Sequence, residues 1–247
     1  VLKVNNLMVF YENALAVNDL SFEIKQGEII GLFGSNSAGK TTILNTISGL
    51  THHLKVREQR KGGTRITISG SINYLDTDIM SLKPRDRVEL GIILCRERHP
   101  VFRDNTVEEN LRLGGYLRKD KEIKESMQFV YELFPPLIKL RKNKAGMLSG
   151  GEKEMVAIGM SLVAKPKLLL MDEPLLGLSP HMQAEVVRAT QEIRKHGVTV
   201  MMSEQYARPI MPIIDRGYII ENGTLVMTGT GPELMDNPEV KSAYFGT

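Results

Sequence analysis

The sequence predicts an α/β fold with a helical insertion, and three observations predict it. The apolar run Ile29-Ile30-Gly31-Leu32-Phe33 leads through the glycine-bearing stretch Gly34-Ser35-Asn36-Ser37-Ala38-Gly39 into Lys40-Thr41-Thr42-Ile43-Leu44-Asn45-Thr46-Ile47, which is a strand, a loop and an amphipathic helix in succession. A second apolar run, Leu168-Leu169-Leu170-Met171-Asp172, is continuous rather than alternating, as in a strand buried on both faces. Between the two, residues 98–164 carry helical periodicity, broken by Pro135-Pro136.

Taken in order, residues 1–33 alternate polar and apolar side chains between turn signals such as Gln26-Gly27, which predicts a small β-rich layer. Residues 52–65 are basic and poor in apolar side chains, and read as a solvated loop or the tip of an extended hairpin, with a contact to anionic lipid or a partner protein as the alternative. Ser69-Gly70, between Arg65-Ile66-Thr67-Ile68 and Ser71-Ile72-Asn73-Tyr74, reads as a tight hairpin turn. Helices are expected over 107–117, 121–134 and 151–163, and the apolar strand follows. An amphipathic helix over 181–196 precedes another buried strand, 198–202. Residues 218–227 form a hairpin on Asn222-Gly223, and Thr230-Gly231-Pro232-Glu233 has the spacing of a capping box opening a last helix.

Composition narrows the function. Of 247 residues, 42% are hydrophobic and 25% charged, which excludes a disordered chain, and the net charge of +3 does not by itself imply a nucleic-acid partner. The single cysteine, Cys95, rules out an internal disulfide framework and fits a reducing compartment. His52, His53, His99, His181 and His196 are scattered without metal-ligand spacing and read as surface histidines. No apolar run has the length of a membrane span and no signal-peptide pattern opens the chain, so a soluble cytosolic protein is expected.

The loop carries the first chemistry. Backbone amides of Gly34, Ser35, Asn36, Ser37, Ala38 and Gly39 can curl around an oligophosphate while the first helical turn leaves further amides unpaired. Lys40 is placed to reach the β- and γ-phosphates, the Thr41 hydroxyl to bind Mg²⁺, and Thr42 to donate one more hydrogen bond. Asp172 at the tip of the apolar strand supplies a carboxylate for Mg²⁺, and Glu173, one step beyond, is placed to polarise an attacking water. Ser149-Gly150-Gly151-Glu152 opens a predicted helix and offers a second phosphate site, or simply a capped helix start. One γ-phosphate is already held by the loop of its own chain, so the second site suits a nucleotide bound by another copy or a sister subunit.

These motifs in this order, the phosphate loop, Leu148-Ser149-Gly150-Gly151-Glu152 and Leu168-Leu169-Leu170-Met171-Asp172-Glu173-Pro174, resemble the nucleotide-binding subunit of an ABC transporter over nearly the whole chain. The resemblance implies a P-loop NTPase fold of the ABC ATPase type: a RecA-like core and antiparallel β layer over 1–97 and 165–247, and a helical subdomain over 98–164. It further implies a head-to-tail dimer, of two copies or of this chain and a sister ATPase, that sandwiches two ATP molecules between one phosphate loop and the other chain's Ser149, Gly150 and Gly151. Tyr11 matches the aromatic residue on which adenine stacks. The finer resemblance is to the smaller, LivF-like ATPase of branched-chain amino-acid uptake systems. In that subfamily Glu97 replaces the usual Mg²⁺-sensing glutamine and Gln205 the usual switch histidine. The stretches Leu176-Gly177-Leu178-Ser179-Pro180, 215–223 and Ala243-Tyr244-Phe245-Gly246 resemble it in outline. An importer subunit implies integral-membrane permease partners, an extracytoplasmic solute-binding protein met only indirectly, a place on the inner face of the cell membrane, and no nucleic acid.

Four departures stand out. Ser37 occupies a position that is usually glycine, Ser179 one that is more often aspartate, Gln205 cannot accept and return a proton, and 51–65 is longer and more basic than the family pattern. The alternatives left open are a nucleotide-binding subunit of weak turnover beside an active sister, and a non-transport ABC ATPase, which usually carries a long coiled coil or two cassettes.

Overall fold

Two kinds of strand give two sheets. β1 (Leu2–Tyr11) and β2 (Ala14–Ile24) bury one face only, with Leu2, Val4, Leu7 and Val9 inward. With β4 (Ile66–Tyr74) and β5 (Thr77–Asp78) they form an antiparallel layer in the order β2-β1-β4-β5. The other strands are buried on both faces: β3 (Ile29–Phe33), β6 (Ile92–Cys95), β7 (Leu168–Asp172), β8 (Thr199–Glu204) and β9 (Arg216–Glu221). They run parallel, and β10 (Thr224–Thr230) closes the edge antiparallel to β9, giving the order β10-β9-β3-β8-β7-β6. A computed structural model describes residues 1–98 and 100–244; His99, Phe245 and Gly246, named above, lie outside them.

The period of two along a strand explains the continuous apolar runs. Ile30, Leu32, Leu168, Leu170 and Met201 face the β layer and α1 (Lys40–Ile47), whose Ile43, Leu44 and Ile47 pack there. Ile29, Phe33, Leu169, Met171, Val200 and Met202 face the opposite core, which is continuous with the helices of the insertion. Each fully buried Leu or Ile contributes roughly 1.5–3 kcal/mol. The central sheet is therefore held from both sides, and its strand ends are rigid platforms.

Between β6 and β7 lie α4 (Val107–Gly114), α5 (Asp120–Leu133), α6 (Pro136–Leu140) and α7 (Gly150–Val163), with α4 and α5 packed on α7. Pro136 starts α6 rather than interrupting a longer helix. Further helices are α3 (Pro84–Leu90), α8 (Pro180–Lys195), α9 (Gly231–Asp236) and α10 (Pro238–Tyr244). Thr230 caps α9 with the predicted box, and Asn222 and Gly223 turn the β9–β10 hairpin at φ 49° and 79°. No helix among the described residues is long and apolar enough to cross a membrane.

Three expectations are corrected. Most of 52–65 is not a loop: α2 (Leu50–Gln59) runs through it. Charge without an apolar stripe hid the helix, which is held by buried Thr51 against the Thr46 hydroxyl at 3.0 Å and by Glu58 at its far end. Nor is Ser69-Gly70 a hairpin turn, since β4 is one strand through it. Gly70, at φ 97°, faces a bulge in β1, where a Cβ would lie 2.4 Å from the Asn6 carbonyl oxygen. Glycine serves backbone approach there, not chain reversal. The strand entering the phosphate loop, β3, also belongs to the central sheet rather than to the β layer.

Candidate nucleotide site

The phosphate loop sits on the C-terminal end of β3, flanked by β8 and β9. Ser35, Asn36 and Ser37 are exposed, and α1 begins with no side-chain cap and no acidic residue in its first turn, so its leading amides face outward unneutralised. Gly39 is left-handed at φ 106°, and a Cβ would meet the Ala16 carbonyl oxygen at 2.5 Å. Ser37 is left-handed too, at φ 67°, so a serine there costs about 1 kcal/mol or more. The left-handed Ser37 and Gly39 and the uncapped start of α1 suit an oligophosphate, although the Ala38 amide donates to the Ser35 carbonyl at 3.1 Å.

Lys40 is buried, and its Nζ donates to the carbonyl oxygens of Gly34 (2.8 Å) and Ser35 (3.1 Å) and pairs with Glu173 Oε1 at 3.1 Å. Thr41 Oγ1 donates to Asp172 Oδ1 at 3.2 Å. Thr42 is partly buried in the first turn of α1. The hydroxyl and carboxylate of Thr41 and Asp172 form a hard oxygen pair at the mouth of the loop, a donor set that fits Mg²⁺. Glu173 holds φ 47°, a left-handed conformation unusual for glutamate, fixed by its amide donating to Ser203 O and Ser203 Oγ, both at 3.1 Å.

Two residues of this network escaped the sequence reading. Ser203, on β8 beside Asp172, donates its hydroxyl to Asp172 Oδ1 at 2.7 Å, so one serine positions both carboxylate-bearing residues. Glu204, paired in register with Phe33, accepts from the Leu175 amide at 3.0 Å. Burial, with the Glu173 charge adding to it, pushes the Glu204 carboxyl up to about 8. The signal available was position: both residues end a buried strand next to the one carrying Asp172. A third, Arg87 on α3, is buried and donates to Thr46 O (2.6 Å) and Ile47 O (2.8 Å), capping the C-terminus of α1; desolvation lowers it to about 10.

The other candidates lie outside this network. Gln205 follows Glu204, partly buried. Glu97 pairs with Arg98 at 3.7 Å. Tyr11 packs at the edge of the β-layer core and lines a cavity with α2. Ser149 caps α7 through a box with Glu152 (Ser149 N to Glu152 Oε2, 2.8 Å), and Ser149 and Gly150 are exposed, whereas Gly151 is buried against Met182. Among the described residues no cluster of three or more His, Cys, Asp or Glu side chains is arranged to hold a metal without a ligand's help.

A family model for ABC transporters matches residues 17–176. BraG of Pseudomonas aeruginosa, a high-affinity branched-chain amino acid transport ATP-binding protein, is 38% identical over 246 residues, covering 100% of both chains. LptB of Haemophilus influenzae, of a lipopolysaccharide export system, is 31% identical over 100% of this chain and 97% of its own. LivF of Archaeoglobus fulgidus, a probable branched-chain amino acid transport ATP-binding protein, is 31% identical over 100% and 99%. A nucleotide-free ATP-binding cassette of an ABC transporter superposes with TM-score 0.82 at 24% identity, over 100% of this chain and 99% of that one, which establishes the fold. The chain belongs to the ABC transporter family, as its ATP-binding cassette.

Proposed function

We propose that this chain is the ATP-hydrolysing motor subunit of an importer for branched-chain or related amino acids. The observation that carries the hydrolytic reading is the meeting of Lys40, Thr41, Asp172 and Glu173 at one loop, with Ser203 fixing the last two. The cargo rests on likeness to BraG and LivF. Residues 1–97 and 165–247 act as the nucleotide-binding core, and 98–164 as the helical subdomain.

On this reading the loop amides from Gly34 to Gly39, with Lys40 and Thr42, bind the triphosphate of ATP, and Tyr11 receives its adenine. Thr41 and Asp172, and by the family resemblance Glu97, would hold Mg²⁺, which would supply positive charge to neutralise the phosphates. Lys40 exchanges Glu173 and the two loop carbonyls for phosphate oxygens, which frees the Glu173 carboxylate to orient a water and take its proton. The Gln205 amide donates to the γ-phosphate. Ser149, Gly150 and Gly151 of a second copy or a sister ATPase close over the same phosphate with the N-terminus of α7. Closure moves permease subunits on the cytoplasmic face of the membrane; the solute-binding protein is met only through them.

The test is ATP turnover and gel filtration of the wild type and Glu173→Gln in Mg-ATP. Turnover in the wild type, a loss of about a hundredfold or more in the variant, and an ATP-locked dimer of the variant are expected. Turnover that survives Glu173→Gln overturns the role of Glu173. The cargo is tested by leucine uptake in cells lacking the gene, and unchanged uptake overturns it. The strained Ser37 and the neutral Gln205 support a second reading, a weakly active subunit beside an active sister; in that case the isolated chain binds ATP without turnover until the sister is added.

A further inference from the structure

The stretch that exceeds the family pattern builds the wall of a cavity. A cleft of about 660 Å³ is lined by Tyr11, Leu54, Arg57, Lys61, Arg65 and Ile66. Tyr11 ends β1 opposite Ile66 at the start of β4, and α2 crosses in front of this edge to supply the other side. The wall is built, not draped. Glu58, near the end of α2, accepts from the Arg65 amide (3.0 Å), Arg65 Nε (2.6 Å) and the Ile66 amide (3.1 Å), which staples the helix to β4. Arg65 Nη1 reaches Glu12 Oε1 at 3.3 Å, and the Glu12 amide bonds back to the Arg65 carbonyl, closing the edge beside Tyr11.

Glu58 and Glu12, which also line the cleft, both pair with Arg65, and Arg57 and Lys61 remain, among the described residues, as lining cations without an ion-pair partner. Leu54 stands 44% exposed at the same face, open to contact with a bound ring. An aromatic ring, two aliphatic side chains and two unpaired cations in one cleft suit a planar, electron-rich heteroaromatic ring with acceptor nitrogens. A purine has that chemistry.

The geometry points to α2 as a second wall of the base site: the adenine end of bound ATP is held between Tyr11 and α2, with Leu54 against the ring and Arg57 and Lys61 over its face or on its ring nitrogens. This rests on the reading that Tyr11 receives adenine. It makes α2 a determinant of base affinity that is separate from the phosphate loop.

Equilibrium binding of ATP and of inorganic tripolyphosphate to the full chain separates base from phosphate. The variants are Tyr11→Ala, Leu54→Asp and the double variant Arg57→Ala with Lys61→Ala. Weakening of ATP by about three- to tenfold in each, with tripolyphosphate affinity unchanged, is expected; the unchanged affinity also reports an intact loop. If Tyr11→Ala weakens ATP and the α2 variants do not, the second wall is wrong while the reading of Tyr11 stands. If Tyr11→Ala leaves ATP binding unchanged, that reading fails and the wall with it. Equal weakening of ATP and tripolyphosphate by the double variant reduces α2 to a general positive charge and overturns the proposal.

Discussion

Replacing Glu204 by glutamine should stabilise the protein, and by more at pH 8 than at pH 5. The carboxyl is 5% exposed at the end of β8, with Glu173 adding negative charge nearby. An unfolded chain gives up this proton near pH 4.5, whereas the folded chain holds it to about pH 8. Between those values the folded state binds more protons than the unfolded state, so stability is fully present below pH 4.5 and falls as pH rises towards 8. By pH 7 the linkage amounts to roughly 3 kcal/mol at about 1.4 kcal/mol per unit; relaxation and water entry reduce this to about 2 kcal/mol. Glutamine keeps an oxygen to accept the Leu175 amide, a bond of 3.0 Å in the native protein, and carries no titrating proton. A gain of about 2 kcal/mol corresponds to about 4–8 °C in Tm for a chain of this size. Thermal melts of wild type and Glu204→Gln at pH 5 and pH 8 decide the matter. The gap should open with pH; an equal gap at both, or a less stable variant at pH 8, refutes the assignment of a neutral buried carboxyl.

Three further outcomes are expected. Arg87→Met removes the guanidinium that serves Thr46 O, Ile47 O, Met80 O and Leu82 O, and should cost about 3 kcal/mol in urea unfolding; a shift below 1 kcal/mol would show that water replaces it. Ser203→Ala leaves the fold intact but frees both Asp172 Oδ1 and the Glu173 amide from its hydroxyl, so kcat for ATP should fall about tenfold with KM nearly unchanged, as measured by steady-state phosphate release. Gly39→Ala forces a Cβ to within 2.5 Å of the Ala16 carbonyl oxygen at φ 106°, and calorimetry should find ATP binding weakened by at least about a hundredfold.

The family was legible because its chemistry is local. Lys40, Thr41, Asp172 and Glu173 sit in short contiguous motifs, and strand, loop and helix around them follow from hydrophobic period and glycine placement. The Asn222-Gly223 hairpin and the Thr230 cap were readable for the same reason: the residues that set the backbone are neighbours in the chain. Helix α2 was not, since its stabilising partners, Thr46, Arg65 and Ile66, lie outside its own charge pattern. The bulge at Gly70 was misread because Ser-Gly looks alike in a turn and opposite a bulge, and only the approach of Asn6 distinguishes them.

The sequence by itself determined the α/β class, the phosphate loop, the paired acidic residues and the resemblance to an ABC ATPase, all properties of residues within a few positions of one another. The tertiary structure alone decided that Ser203 binds both Asp172 and the Glu173 amide, that Lys40 pairs with Glu173, that Glu204 is buried against the Leu175 amide, and that a basic helix faces Tyr11 across a cleft. Those contacts join residues 31, 133, 29 and about 45 positions apart, and burial and distance between remote segments exist only once the two cores have packed against the central sheet.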